Sequence, residues 1–200
     1  MNSGARGGLL PDVLSRAVTS KLSRYVISLV LVAAVLVLAV HEGTWRQMEA
    51  NLGGHFIGIL TGHSAYSRSG GLIYLVSGQG IVVGIFAVTA ECSVGYLVIG
   101  VLLITAFLAM VRPIPVRRVL SAAVLASAIL LLFNILRLGM IGLFVAQYGV
   151  KVGFPIAHTY LGTFLTIFST VVAGIMYALV VLHGTGKRGE TQQVELVEAG

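Results

Sequence analysis

Residues 119–138 read VLSAAVLASAILLLFNILRL, a stretch of twenty residues that is apolar except for small hydroxyls, Asn134 and Arg137. Twenty residues of helix at about 1.5 Å each span about 30 Å, the thickness of a bilayer's hydrocarbon core. Such a segment cannot sit on the surface of a soluble domain. The basic pair Arg117 and Arg118 precedes it, and ahead of that pair Pro113 and Pro115 interrupt any helix running in from residue 111.

Working outward, comparable segments recur at 25–41, 94–111 and 160–182. The whole chain is 57% hydrophobic and 10% charged, with a mean hydropathy of +0.98, too apolar to coat a soluble globule of 200 residues. The expected fold is therefore an all-α polytopic membrane protein with about four transmembrane helices. Residues 1–24 form an N-terminal segment, 25–182 the membrane domain and 183–200 a polar tail. Residues 40–42 offer no small-x-small cleavage pattern, so the first apolar run reads as an uncleaved anchor.

The net charge of +6 does not point to nucleic acid, because the basic residues cluster at the ends of apolar segments and form no basic face. They report orientation instead. Arg6, Arg16, Lys21, Arg24, Arg112, Arg117, Arg118, Lys187 and Arg188 fall on one side of the four-span arrangement, and Arg46, Arg68, Arg137 and Lys151 on the other. Nine against four predicts that both termini are cytoplasmic, in a multi-pass protein of the inner or plasma membrane. Lipid is then an obligatory partner.

The outer segment 42–93 is more than a loop. Residues 45–61 suit an interfacial helix with Leu52, Phe56 and Leu60 on one side. Residues 71–76 and 81–89, rich in Ile, Val, Tyr and Phe, flank Ser77-Gly78-Gln79-Gly80 and read as a short β-hairpin before Cys92. Reading 81–111 as one span would bury Glu91 in a helix of excessive length.

A single cysteine excludes an internal disulfide and any Cys-x-x-Cys metal or redox pair. Cys92 lies two residues before the span at 94–111 and His158 two before the span at 160–182. Eighteen residues of helix from Val119 carry Arg137 roughly 27 Å, to the same outer level. Taken singly, a cysteine is most often a small buried hydrophobe and a histidine near a helix end an interfacial anchor, whereas an arginine inside a long apolar run is costly and is more often paired or functional than a headgroup contact. Three of them at one depth make a coherent site: a guanidinium or imidazolium favours the thiolate, and the histidine exchanges protons near neutral pH. The N–H groups of a helix opening at Cys92 would add to this. Asn134, one turn from Arg137, is expected to orient it or a substrate carbonyl, or to bond a neighbouring helix. Glu91 is expected to form a salt bridge, and Ser93 to support the cysteine.

The order Cys92-Ser93 at the start of a span, Asn134-x-x-Arg137 at the end of the next and His158-x-x-x-Gly162 opening the last resembles the exosortase/archaeosortase family, over residues 70–180. Where that family commonly has Cys-Ser-Gly, Val94 separates Ser93 from Gly95 here. The histidine is similar to the bacterial branch. The resemblance implies a thiol protease and transpeptidase that cleaves the C-terminal sorting signal of exported proteins and passes them to a cell-surface acceptor. Cys92 would be the nucleophile, Arg137 the stabiliser and His158 the proton-transfer residue, with no cofactor. The implied substrates end in a short motif, an apolar span and a basic tail.

Two other classes fit parts of the pattern. A non-catalytic membrane assembly or scaffold protein would tolerate loss of Cys92. An outer-facing metal enzyme would draw on His41, His55, His63, His158, Glu42 and Glu91, although their spacing matches no metal motif.

Overall fold

The computed structural model describes residues 9–112 and 114–183, with side chains from Leu22 onward except that of Glu91. The expectations for the extreme N-terminus, the tail after His183 and a Glu91 salt bridge lie outside the described residues. What is described is mostly helical with one small sheet.

Helix α1 (Leu9–Val40) passes through a turn at His41 into α2 (Glu42–Thr61), which ends at Gly62 in the left-handed region (φ 67°). Strands β1 (Ser64–Arg68), β2 (Leu72–Val76) and β3 (Val82–Ala87) follow, then a 3-10 turn at Ala90–Cys92. The remainder is α3 (Gly95–Val111), a long helical run α4 (Val116–Pro155), a π-helical turn (Ile156–Leu161) and α5 (Gly162–Leu182). Two helical runs, Leu22–Val40 and Val116–Leu182, are long and apolar enough to cross a membrane, and Gly95–Val111 is a shorter apolar helix. The second run is not one rod. Gly149 (φ 72°, ψ 168°) breaks α4, and the π-turn separates it from α5.

Long-range contacts pair these helices head to tail. Ser28 Oγ donates to the Ala106 carbonyl (2.9 Å), and Arg24 Nη1 to that of Arg112 (3.5 Å). The other ends of α1 and α3 meet where Leu38 and Trp45 approach Tyr96 and Ile99. Similarly, Arg117 and Ser121 of α4 lie beside Leu179 and His183, while Phe133 and Arg137 lie beside Leu165 and Thr166. Two antiparallel helix pairs thus bring Arg24, Arg112, Arg117 and Arg118 toward one end of the molecule and residues 92, 137 and 158 toward the other.

The sheet is antiparallel with order β1-β2-β3. The expected hairpin is β2–β3, closed by Ser77 N–H to Ile81 O (2.8 Å) and Gly80 N–H to Ser77 O (2.9 Å). The third strand was not expected. Its sequence, SAYSR, has too little apolar character to signal a strand, and it forms because the β2 edge supplies its partners. Tyr66 stacks on Tyr74 across that pair at 5.4 Å.

Ile73, Leu75, Phe86 and Val88 pack on Ile57 of α2 and on Leu138, Ile141 and Val145 of α4, and Cys92 belongs to this same core. The interfacial helix expected at 45–61 is instead a packing partner of α4, and it buries Glu49, Ala50, Gly53 and Ile57 while Leu52 and Leu60 of the expected apolar side stay exposed. Glycines permit the approach. A Cβ at Gly139 would come 2.6 Å from Phe56, and one at Gly142 2.6 Å from Ile57. Gly142→Leu is expected to destabilise the protein by about 1–3 kcal/mol through overpacking. Thermal unfolding in detergent checks this, and an unchanged midpoint would show that α2 does not lie against α4.

Two boundaries differ from expectation in ways that matter. The helix starting near residue 119 does not stop at 138 but continues to the break at Gly149, so Arg137 is mid-helix and buried beside Cys92 and the start of α5. Cys92 does not open α3. It closes the 3-10 turn, two residues ahead of the Val94 cap, because Cys92 N–H already bonds Thr89 O (3.0 Å).

Candidate active site

Cys92 Sγ lies 3.4 Å from His158 Nδ1 and 3.9 Å from Arg137 Nη2. The cysteine is 2% exposed and the arginine 7%. They come from different elements: the turn after β3, the middle of α4 and the π-turn before α5. Each position has a local cause.

The π-turn widens the helix by one residue and follows Pro155, which has no N–H to give to the preceding turn. His158 stacks on Phe154 one turn earlier (5.0 Å, 7° between ring planes), and Phe154 in turn meets Phe86 of β3 at 6.3 Å. The ring is thereby fixed with Nδ1 toward the thiol. Arg137 reaches the thiol across the start of α5, where Gly162 leaves the space. A Cβ there would fall 2.7 Å from Arg137 Nε, so any larger residue would displace the guanidinium.

Glu49 is the residue that the sequence reading missed. It is 2% exposed, and its carboxyl accepts hydrogen bonds from Ser93 Oγ (3.0 Å), Val94 N–H (3.2 Å) and Asn134 Nδ2 (3.1 Å). Ser93 Oγ also accepts from Gly95 N–H (3.2 Å). Glu49 and Ser93 together cap α3, whose own cap residue, Val94, has no side chain for the task. Burial pushes the Glu49 carboxyl above its usual range, opposed by the hydrogen bonds from Ser93, Trp45, Val94 and Asn134. The free N–H groups of α3 are thus directed to Glu49 and Ser93, not to the thiol. The polar side chains that do face the thiol are those of Arg137 and His158. The sequence signal was weak: α2 buries Glu49 with Ala50, Gly53 and Ile57, small residues for the most part, and not the side marked by Leu52, Phe56 and Leu60.

The supporting residues resolve accordingly. Asn134 and Ser93 both bond Glu49. Among the described residues no group of three or more His, Cys, Asp or Glu side chains converges as a metal site would require. A cavity of about 340 Å³ opens beside Arg137, Asn134 and Ser93, walled by Leu97, Leu130, Phe133 and Leu165. A thiol beside an imidazole and a guanidinium, with an apolar-walled space on the guanidinium's side, has the parts for nucleophilic acyl transfer.

No protein-family model, curated protein or solved structure matches the chain.

Proposed function

We propose that this chain is a multi-pass membrane cysteine transpeptidase of exosortase-like design, which cleaves the C-terminal sorting signal of exported proteins and transfers them to a cell-surface acceptor. The observation that carries the reading is the meeting of Cys92, Arg137 and His158 from three separate elements. In this mechanism His158 takes the thiol proton and Cys92 Sγ attacks the scissile carbonyl. Arg137, which does not lose its proton, holds the resulting oxyanion. As the intermediate collapses, His158 returns the proton to the departing amine and a thioester remains on Cys92. The acceptor nucleophile then attacks the thioester, passing its proton through His158 back to the cysteine as the C–S bond breaks.

The membrane arrangement in this proposal has four spans, both termini cytoplasmic and the site on the outer face. The antiparallel helix pairs and the basic ends they align support it. So do the large apolar side chains exposed along the helices, among them Leu29, Phe107, Val124 and Ile167. An epitope tag at the C-terminus should resist modification by membrane-impermeant reagents in intact cells and become reactive on permeabilisation. Labelling from outside would overturn the topology.

The activity itself is tested by supplying membranes that contain the protein with an exported protein ending in a motif, an apolar span and a basic tail. Processing should stop after thiol alkylation and continue after metal chelation. The reverse pattern would replace this reading with a metal enzyme.

A further inference from the structure

We propose that Glu49 is the positioning residue of this site: its buried carboxyl ties the Cys92 turn to the helix of Arg137 and so sets the thiol-to-guanidinium distance. The inference rests on the reading of Cys92 as a nucleophile held by Arg137. One arm of the clamp reaches Ser93 and Val94, the two residues directly after the cysteine. The other reaches Asn134, three residues before the arginine and therefore on the same helical face. Cys92 and Arg137 are 45 residues apart in the chain, and Glu49 joins their two segments from a third helix.

A cap for α3 would need only the first arm, and an Asp or Ser at position 94 would supply it locally. The second arm adds nothing to the cap. It leads to the helix that carries the guanidinium. The hydroxyl, backbone N–H, carboxamide and Trp45 indole around this carboxyl are all uncharged, so the group is held by geometry and not by an ion pair. Its bonds go to the residues next to the reacting groups and not to the thiol or imidazole, which makes it a positioning residue.

Because Cys92 is the chain's only thiol, its local charge can be read directly in the full-length protein in detergent. The measurement is the ratio of its alkylation rates with anionic iodoacetate and neutral iodoacetamide, divided by the same ratio for free cysteine. With Arg137 beside the thiol the wild type should favour the anion about fivefold, the size of a charge attraction at about 4 Å in water. Glu49→Ala should lose that preference. Glu49→Gln should retain it, since its carboxamide oxygen can serve Ser93 and Val94 while its NH₂ donates to a flipped Asn134. Asn134→Ala, which cuts only the second arm, should lose the preference with α3 still capped, and it decides the matter if Glu49→Ala does not fold.

A residue that acted only through its charge would give the opposite sign, because deleting an acid near the thiol raises the preference for an anion. A residue that only capped α3 would leave the ratio unchanged in folded Asn134→Ala. Either result overturns the clamp. Failure of the underlying reading looks different: the wild type itself would show no preference, or Cys92 would not react at all.

Discussion

Cys92→Ala is expected to abolish processing of a tailed substrate entirely and to leave no covalent adduct on the protein. The thiol is the only one in the chain, and the acyl-enzyme cannot form without it. The neighbouring hydroxyl cannot substitute. Ser93 Oγ donates its proton to Glu49 and accepts from Gly95 N–H, so the hydroxyl is engaged in the α3 cap. Immunoblotting of a co-expressed substrate for its processed form checks the loss. Full processing by Cys92→Ala would move the protein to the scaffold class, in which the cysteine is a small core residue beside Phe86 and Leu138.

His158→Ala should slow turnover by about 10²–10⁴-fold, the usual contribution of a positioned general acid–base. It is also the variant expected to trap an intermediate. Arg137 remains within 3.9 Å of the thiol, so a first attack can still take place. The second half of the reaction then lacks the group that removes a proton from the acceptor. A substrate–Cys92 thioester should accumulate as a higher-mass conjugate that hydroxylamine releases. The packing effect of the change has its own control in His158→Phe, which keeps a ring against Phe154 but restores no proton transfer. If His158→Ala processes substrate at the wild-type rate, the imidazole is an interfacial anchor and the assignment of its role is wrong.

Much of the helical layout was legible because bilayer-length apolar runs are a one-dimensional property. Composition and the runs around residues 22–40, 95–111 and 116–182 are enough to mark them. The β2–β3 hairpin was legible for a related reason, since strand-forming residues flank a glycine-rich turn within a short window. Strand β1 was not, because its residues carry no pattern of their own and the pairing partner is supplied by the fold. The extension of α4 past residue 138 was hidden as well. The sequence reading ended the span at a charge, whereas that charge is buried beside Cys92 and the start of α5 and the helix has no reason to stop there.

The site divides in the same way. Helix rise and span length, both properties of the linear chain, put Cys92, Arg137 and His158 at one depth. They carried no information about rotation around each helix, which the contacts settle: Gly162 opens the path for the guanidinium, and Phe154 sets the imidazole. Glu49 shows the boundary most clearly. That it lies on a helix was readable, but the side α2 buries was not, and the donors Ser93, Val94 and Asn134 come from the start of α3 and from α4, at separations of 44 to 85 residues. Local patterning determines which segments are helices and how deep each residue lies. Only long-range packing decides which polar groups, once buried, must satisfy one another.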